Sequence, residues 1–173
     1  MPSLAEHQRA MLALMKGRPV PPSADAYHAR IAPSRELALL REIAVWWRLL
    51  TIEGACPSAA RLLKRLGIFD SSVERFYRDE NVSPYIERAS EHFLRHTAGH
   101  DDPLVRATIA FETALFRIRR REAGPFTIDW DRNPENVLAA LDSGAPIPDA
   151  EPGAIYRLHL SADRIDYERI AVN

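Results

Sequence analysis

Apolar residues recur with helical spacing through most of this chain and switch to strict alternation past residue 125. The densest helical stretch is residues 102–122. Asp102 can cap it and Pro103 suits its first position. Leu104, Ile109, Phe111, Leu115, Phe116 and Ile118 cover most of its circumference, the pattern of a helix buried among others. Arg119, Arg120 and Arg121 suit its C-terminus, where cations meet the negative end of the dipole. Gly124 and Pro125 then break it, and the domain boundary is placed there, giving a helical domain over 1–123 and a smaller unit over 124–173.

Earlier in the chain, Ser3 and Glu6 form a capping box ahead of an apolar stripe of Leu4, Met11, Leu12, Leu14 and Met15, read as core, which Gly17 stops. Residues 17–33 carry Pro19, Pro21, Pro22 and Pro33 and read as an extended connector anchored by Tyr27 and Ile31. Ser34 caps a long helix to about Ile52, with Leu37, Leu40, Ile43, Ala44, Trp47 and Leu50 on an inward face. Trp46 and Trp47 point about 100° apart, so one tryptophan is expected in the core and the other at an interface. After a break at 54–58, Leu62, Leu63 and Leu66 face inward on a helix whose Arg61, Lys64 and Arg65 face out, and Gly67 ends it. A short helix starts at Ser71 or Ser72 and runs through Phe76 and Tyr77. Ser83-Pro84 starts another, carrying Tyr85, Ile86, Ala89, Phe93 and Leu94.

Beyond Pro125, Phe126, Ile128 and Trp130 alternate with polar residues. Asn133 to Glu135 opens a helix with Val137, Leu138 and Leu141 on one face, ended by Gly144. Tyr156, Leu158 and Leu160 alternate again, and residues 165–172 return antiparallel, with a bulge near Glu168 expected to reconcile the phases of Ile165/Tyr167 and Ile170/Val172. The fold class is therefore α+β: about six helices, then a β-α-β-β unit too small to stand alone.

Composition is that of an ordinary globular protein, 46% hydrophobic and 27% charged, with formal net charge −1. That charge argues against bulk electrostatic binding to nucleic acid or anionic membrane. Cys56 is the only cysteine, so no internal disulfide forms. With no membrane-length apolar stretch and no signal pattern, a soluble cytoplasmic protein is expected.

Four groups carry candidate chemistry. His92, His96 and His100, with Glu91, Asp101 and Asp102 nearby, have metal-ligand spacing but also read as a solvated face. Glu112, inside the apolar run, is expected to pair with an arginine of a neighbouring helix; as a catalytic acid it lacks a second titrating group. Arg117 and Arg119 to Arg121, with Arg61, Lys64 and Arg65, form either a solvated helix end or a patch for nucleic acid or an acidic peptide. Cys56 precedes a helix start that could activate its thiol, although a buried structural cysteine is the simpler reading. No P-loop, GxGxxG, HExxH or Ser-His-Asp pattern proposes an active site.

The run Cys56-Pro57-Ser58-Ala59-Ala60-Arg61-Leu62-Leu63-Lys64-Arg65-Leu66-Gly67 resembles a known helical family. So does the order of elements around it: Leu4-Ala5-Glu6-His7-Gln8-Arg9-Ala10-Met11, a long helix, a short helix ending Phe76-Tyr77, then Asp102-Pro103-Leu104 with Phe111-Glu112-Thr113-Ala114-Leu115. The family bears a DNA-binding label, and its members and related proteins act as partner subunits of multinuclear non-haem iron oxidative enzymes that modify cysteines in ribosomally made peptides. The likeness covers residues 4–120. It implies a non-catalytic subunit without a cofactor of its own, forming a heterodimer with an enzyme that holds the iron. The C-terminal unit would then take the precursor peptide as an added strand on the edge of Phe126–Trp130 or of 155–160. Ile128, Trp130, Tyr156, Arg157, Leu158, His159 and Leu160 are the candidate peptide-binding residues, and Trp46, Arg117, Arg120 and Arg121 the candidate partner interface. The alternatives are a DNA-binding regulator and a stand-alone metal enzyme using His92, His96 and Glu112.

Overall fold

The computed structural model describes residues 3–19, 25–80, 82, 86–122 and 124–172, with the side chains of 86 and 87 left aside. Among the described residues, seven helices precede a three-stranded antiparallel sheet whose first two strands are separated in sequence by an eighth helix, an α+β fold with an N-terminal helical region.

Local chemistry sets the helix starts. In α1 (Leu4–Met15) the Ser3 hydroxyl accepts from Glu6 N while the Glu6 carboxylate accepts from Ser3 N, the reciprocal capping box. Only Ala10 and Leu14 of α1 are buried, whereas Leu4 and Leu12 are exposed, so the stripe read as core is largely a surface. The connector is not extended throughout. Asp25 caps α2 (Ala26–Ile31) through Tyr27 N and His28 N, and the buried anchor is His28, not Tyr27. Ser34 caps α3 (Arg35–Ala55). Pro57 opens α4 (Pro57–Arg65), which buries Leu62 and Leu63 but leaves Leu66 outside its end and exposed. α5 (Phe69–Asp79) begins ahead of Ser71, because Phe69 is already core. The expected start at Ser83-Pro84 and Tyr85 lies outside the described residues; α6 (Ile86–Thr97) buries Ala89, Phe93 and Leu94. Asp102 caps α7 (Pro103–Arg119), and α7 is buried over most of its surface.

The strands are β1 (Phe126–Trp130), β2 (Ala154–Leu160) and β3 (Ile165–Ala171), with α8 (Pro134–Ser143) between β1 and β2. Sheet order is β1-β2-β3, antiparallel throughout. The β2–β3 register is unbroken from Ala154↔Ala171 to Leu160↔Ile165, so the expected bulge at Glu168 is absent. Without it, Ile165, Tyr167 and Arg169 share one face of β3 and Ile170 lies on the other. Phe76, Phe93, Val105, Phe111, Trp130, Val137, Leu158 and Leu160 belong to one continuous core that crosses the 123/124 boundary. Among the described residues no helix is long and apolar enough to cross a membrane.

Candidate functional site

α3 carries more exposed large apolar side chains than any other element among the described residues. Neither tryptophan is in the core: Trp46 is 55% and Trp47 59% exposed, and their rings meet edge to face at 5.3 Å. Leu39, Leu40, Ile43 and Leu50 are exposed beside them. Leu40, Ile43, Trp47 and Leu50 are spaced 3, 4 and 3 residues apart, the rhythm of a seam that takes another helix. On the opposite side of α3 Leu37 and Ile52 are buried, and Ala44, Val45 and Leu49 are half-buried. Trp46 also borders a groove of about 560 Å³, formed with Met15, Val45, Leu49, Val73 and Tyr77. Polar anchors hold its walls: Arg41 Nε donates to Leu14 O (2.7 Å), Lys16 Nζ donates to Glu80 O (2.6 Å), and the Arg48 guanidinium lies 4.5 Å from the Tyr77 ring centre.

A second open element is β3. It is an outer strand, and most of its residues are exposed on both faces. On the face it shares with the core side of β2, Ile165 is 64% exposed, so the sheet overhangs its helical support at that edge. Tyr167 is held at the periphery: Asn133 Nδ2 donates to its hydroxyl (3.0 Å), which donates to Glu135 Oε2 (3.3 Å).

The candidate peptide residues are placed differently from expectation. β2 is the central strand, paired on both sides, so its backbone offers no free edge. Ile128, Trp130, Tyr156, Leu158 and Leu160 are buried in the core and have no surface to give a ligand. Arg157 and His159 lie on the other face of β2, where Arg157 forms a two-pronged ion pair with Asp129 and His159 faces Glu168 at 3.5 Å. The outer strands are β1 and β3. α7 packs against β1 through the buried face that carries Trp130, and β3 is the more exposed of the two.

Of the candidate partner interface, Trp46 is exposed. Arg117 pairs with Glu122 (2.8 Å) and lies over the Phe126 ring, and Arg120 pairs with Glu91 (2.6 Å). Arg121 takes the left-handed turn that closes α7 (φ 59°), its N–H bonding Ile118 O. Arg61 pairs with Asp142, Lys64 with Glu53, and Arg65 donates to Ala140 O and Ala145 O. Arg61, Lys64, Arg65, Arg117 and Arg120 thus each have an anionic or carbonyl partner within the chain.

Among the described residues Glu112 forms no ion pair with an arginine of a neighbouring helix, and Arg119 of its own helix acts on it only at longer range. Its Oε1 accepts from Ser58 N at 2.7 Å, and Ala59 N also bonds the carboxylate, so Glu112 serves as the missing cap of α4. Cys56, at the capping position itself, supplies no side-chain bond. Burial raises the Glu112 carboxyl to about 7 against those amides, and Oε2 has no partner. Burial, then the nearby Glu112, pushes the Cys56 thiol far up, which agrees with an inert structural cysteine. His92 and His96 face Glu80 rather than Glu112, at 3.4 and 3.6 Å. His100 leaves their stripe, accepting from Asp102 N at the turn into α7.

The residues that sequence reading missed are Leu39, Leu40, Trp47, Ile165 and Tyr167. For α3 there was a signal: apolar positions occur on two sides of the helix, more than one packed face needs. Comparison with protein-family models, with curated proteins and with solved structures finds no match to the chain.

Proposed function

We propose that this chain is a non-catalytic partner subunit, docked on another protein through α3 and receiving an extended peptide segment on β3. The observation that carries the reading is the row of large apolar side chains along α3, four of them at seam spacing, left open while α4, α5, α7 and α8 bury most of theirs. Completing the burial of half-exposed Leu, Ile and Trp side chains contributes on the order of 1 kcal/mol each, ample for a specific helix-on-helix contact. β3 offers what strand addition needs: outward amides and carbonyls on an outer strand, with Ile165 and Tyr167 on one face and Ile170 on the other to read alternate side chains.

The identity of the two ligands rests on the resemblance of residues 4–120. It makes the docked protein an iron-dependent oxidative enzyme that holds the iron, and the extended segment a ribosomally made precursor peptide. The test is recovery of the tagged full chain from its own cell, followed by mass spectrometry and metal analysis. The expected result is a near-stoichiometric iron-containing enzyme that disappears in a Trp46→Ala/Trp47→Ala variant. Oxidative turnover by the purified chain alone, or a partner retained undiminished by that variant, overturns the reading.

A further inference from the structure

α1 and α2 bring together two imidazoles and a carboxylate that the docking role leaves unused. His7 lies on the second turn of α1, and Asp25 and His28 lie at the cap and third position of α2. One potential ligand atom from each lies within 4.8 Å of the other two. The rings of His7 and His28 are 4.6 Å apart and tilted by 56°. His28 is fully buried, its Nδ1 is 2.7 Å from Asp25 Oδ1, and its Nε2 has no hydrogen-bond partner. Nε2 lies across the ring from the nitrogen that meets Asp25, so an ion shared by the three residues takes His28 through Nδ1, in place of the proton between that nitrogen and Asp25.

We infer that His7, Asp25 and His28 form a binding site for one divalent transition ion of borderline softness, with Zn²⁺ as its representative. Two imidazole nitrogens and one carboxylate oxygen are a donor set that such ions accept, leaving further positions to water. Tetrahedral bonds of about 2.0–2.1 Å place ligand atoms about 3.3 Å apart, so an ion parts the 2.7 Å His28 Nδ1–Asp25 Oδ1 contact slightly and draws in the half-exposed His7 ring. Hard cations such as Mg²⁺ prefer all-oxygen shells and are not expected there. The ion acts as a staple. α1 buries only Ala10 and Leu14, so a bond from His7 to α2 fastens an element with little apolar anchorage. The site is independent of the iron assigned to the docked enzyme.

The test is titration of the chelator-treated full chain with Zn²⁺ alone near neutral pH, following stoichiometry by elemental analysis and unfolding by circular dichroism, with Co²⁺ as a spectroscopic stand-in. One ion per chain and a raised melting temperature are expected. His7→Ala, which leaves the core untouched, should weaken binding about tenfold or more and abolish the rise. His7→Gln should behave alike, and His96→Ala should change neither. Failure of the wild-type chain to bind at tens of micromolar Zn²⁺ overturns the inference, as does binding unchanged by both His7 substitutions. Loss with His96→Ala would overturn it too, by moving the ion to the His92–Glu80–His96 group.

Discussion

Glu112 shows how one side chain can satisfy one element while burdening the whole. It gives Ser58 N and Ala59 N the acceptor that Cys56 cannot supply, yet burial holds its carboxyl at about 7. The folded chain therefore keeps a proton that the unfolded chain releases near the ordinary value of 4.5. Stability from this residue is fully present below the unfolded value and is lost as pH rises through the folded one, by about 3 kcal/mol in total. Glu112→Gln keeps the acceptor and removes the titration. Urea unfolding should find the two proteins within about 1 kcal/mol of each other near pH 5, and the variant more stable by about 2–3 kcal/mol near pH 8. Parallel loss of stability in both across that range would contradict the assignment. Glu112→Ala, which strands two amides and opens a cavity, should cost about 2–4 kcal/mol at either pH. An acid in this run was legible as a residue needing a partner. That the partner would be the start of α4 was not, because only packing of α4 on α7 brings the two together.

At the scale of elements, what local chemistry decides was readable and what covers a surface was not. Ser3, Ser34, Asp102 and Asn133 announced four helix starts through their caps. Asp25 announced a fifth that the surrounding prolines obscured. In α3, periodicity located the apolar positions but could not say whether this chain or another covers them. In β3, both faces are exposed, so alternation constrains little and the phase change between Tyr167 and Ile170 needs no bulge. The α3 face makes a direct prediction. Trp46→Ala/Trp47→Ala should leave unfolding stability within about 1 kcal/mol, because both rings already meet solvent, while abolishing capture of the docked enzyme. A matching drop in stability and capture would place the rings in the fold rather than at an interface. For β3, Ile165→Asp with Tyr167→Ala should weaken binding of a fluorescent precursor peptide about tenfold without altering enzyme capture, read by anisotropy. Peptide affinity that is unmoved would remove β3 from the site.

For the whole molecule, alternation past residue 125 correctly separated helices from strands, and the break at Gly124 and Pro125 is where the chain changes character. Energetically the two parts are one. Trp130 is buried with its ring 6.4 Å from that of Phe111 in α7, and Ile128, Tyr156, Leu158 and Leu160 join the same core. Arg61 and Arg65 of α4 reach Asp142, Ala140 O and Ala145 O in and just beyond α8, adding polar ties across the boundary. Burying those five strand side chains contributes about 1.5–3 kcal/mol each, on the order of 10 kcal/mol together. A domain of this size has a net stability of about 5–15 kcal/mol, so neither part can spare the other. Residues 1–123 alone should keep helical circular dichroism but lose the sharp thermal transition and bind a hydrophobic dye, and residues 124–173 alone should be unfolded. Mixing the two should restore cooperative unfolding, because the surfaces each exposes are the ones the other covers. A helical fragment melting sharply within a few degrees of the full chain would show that the sheet is an independent appendage, and the edge it offers to a peptide would then be free to move relative to α3.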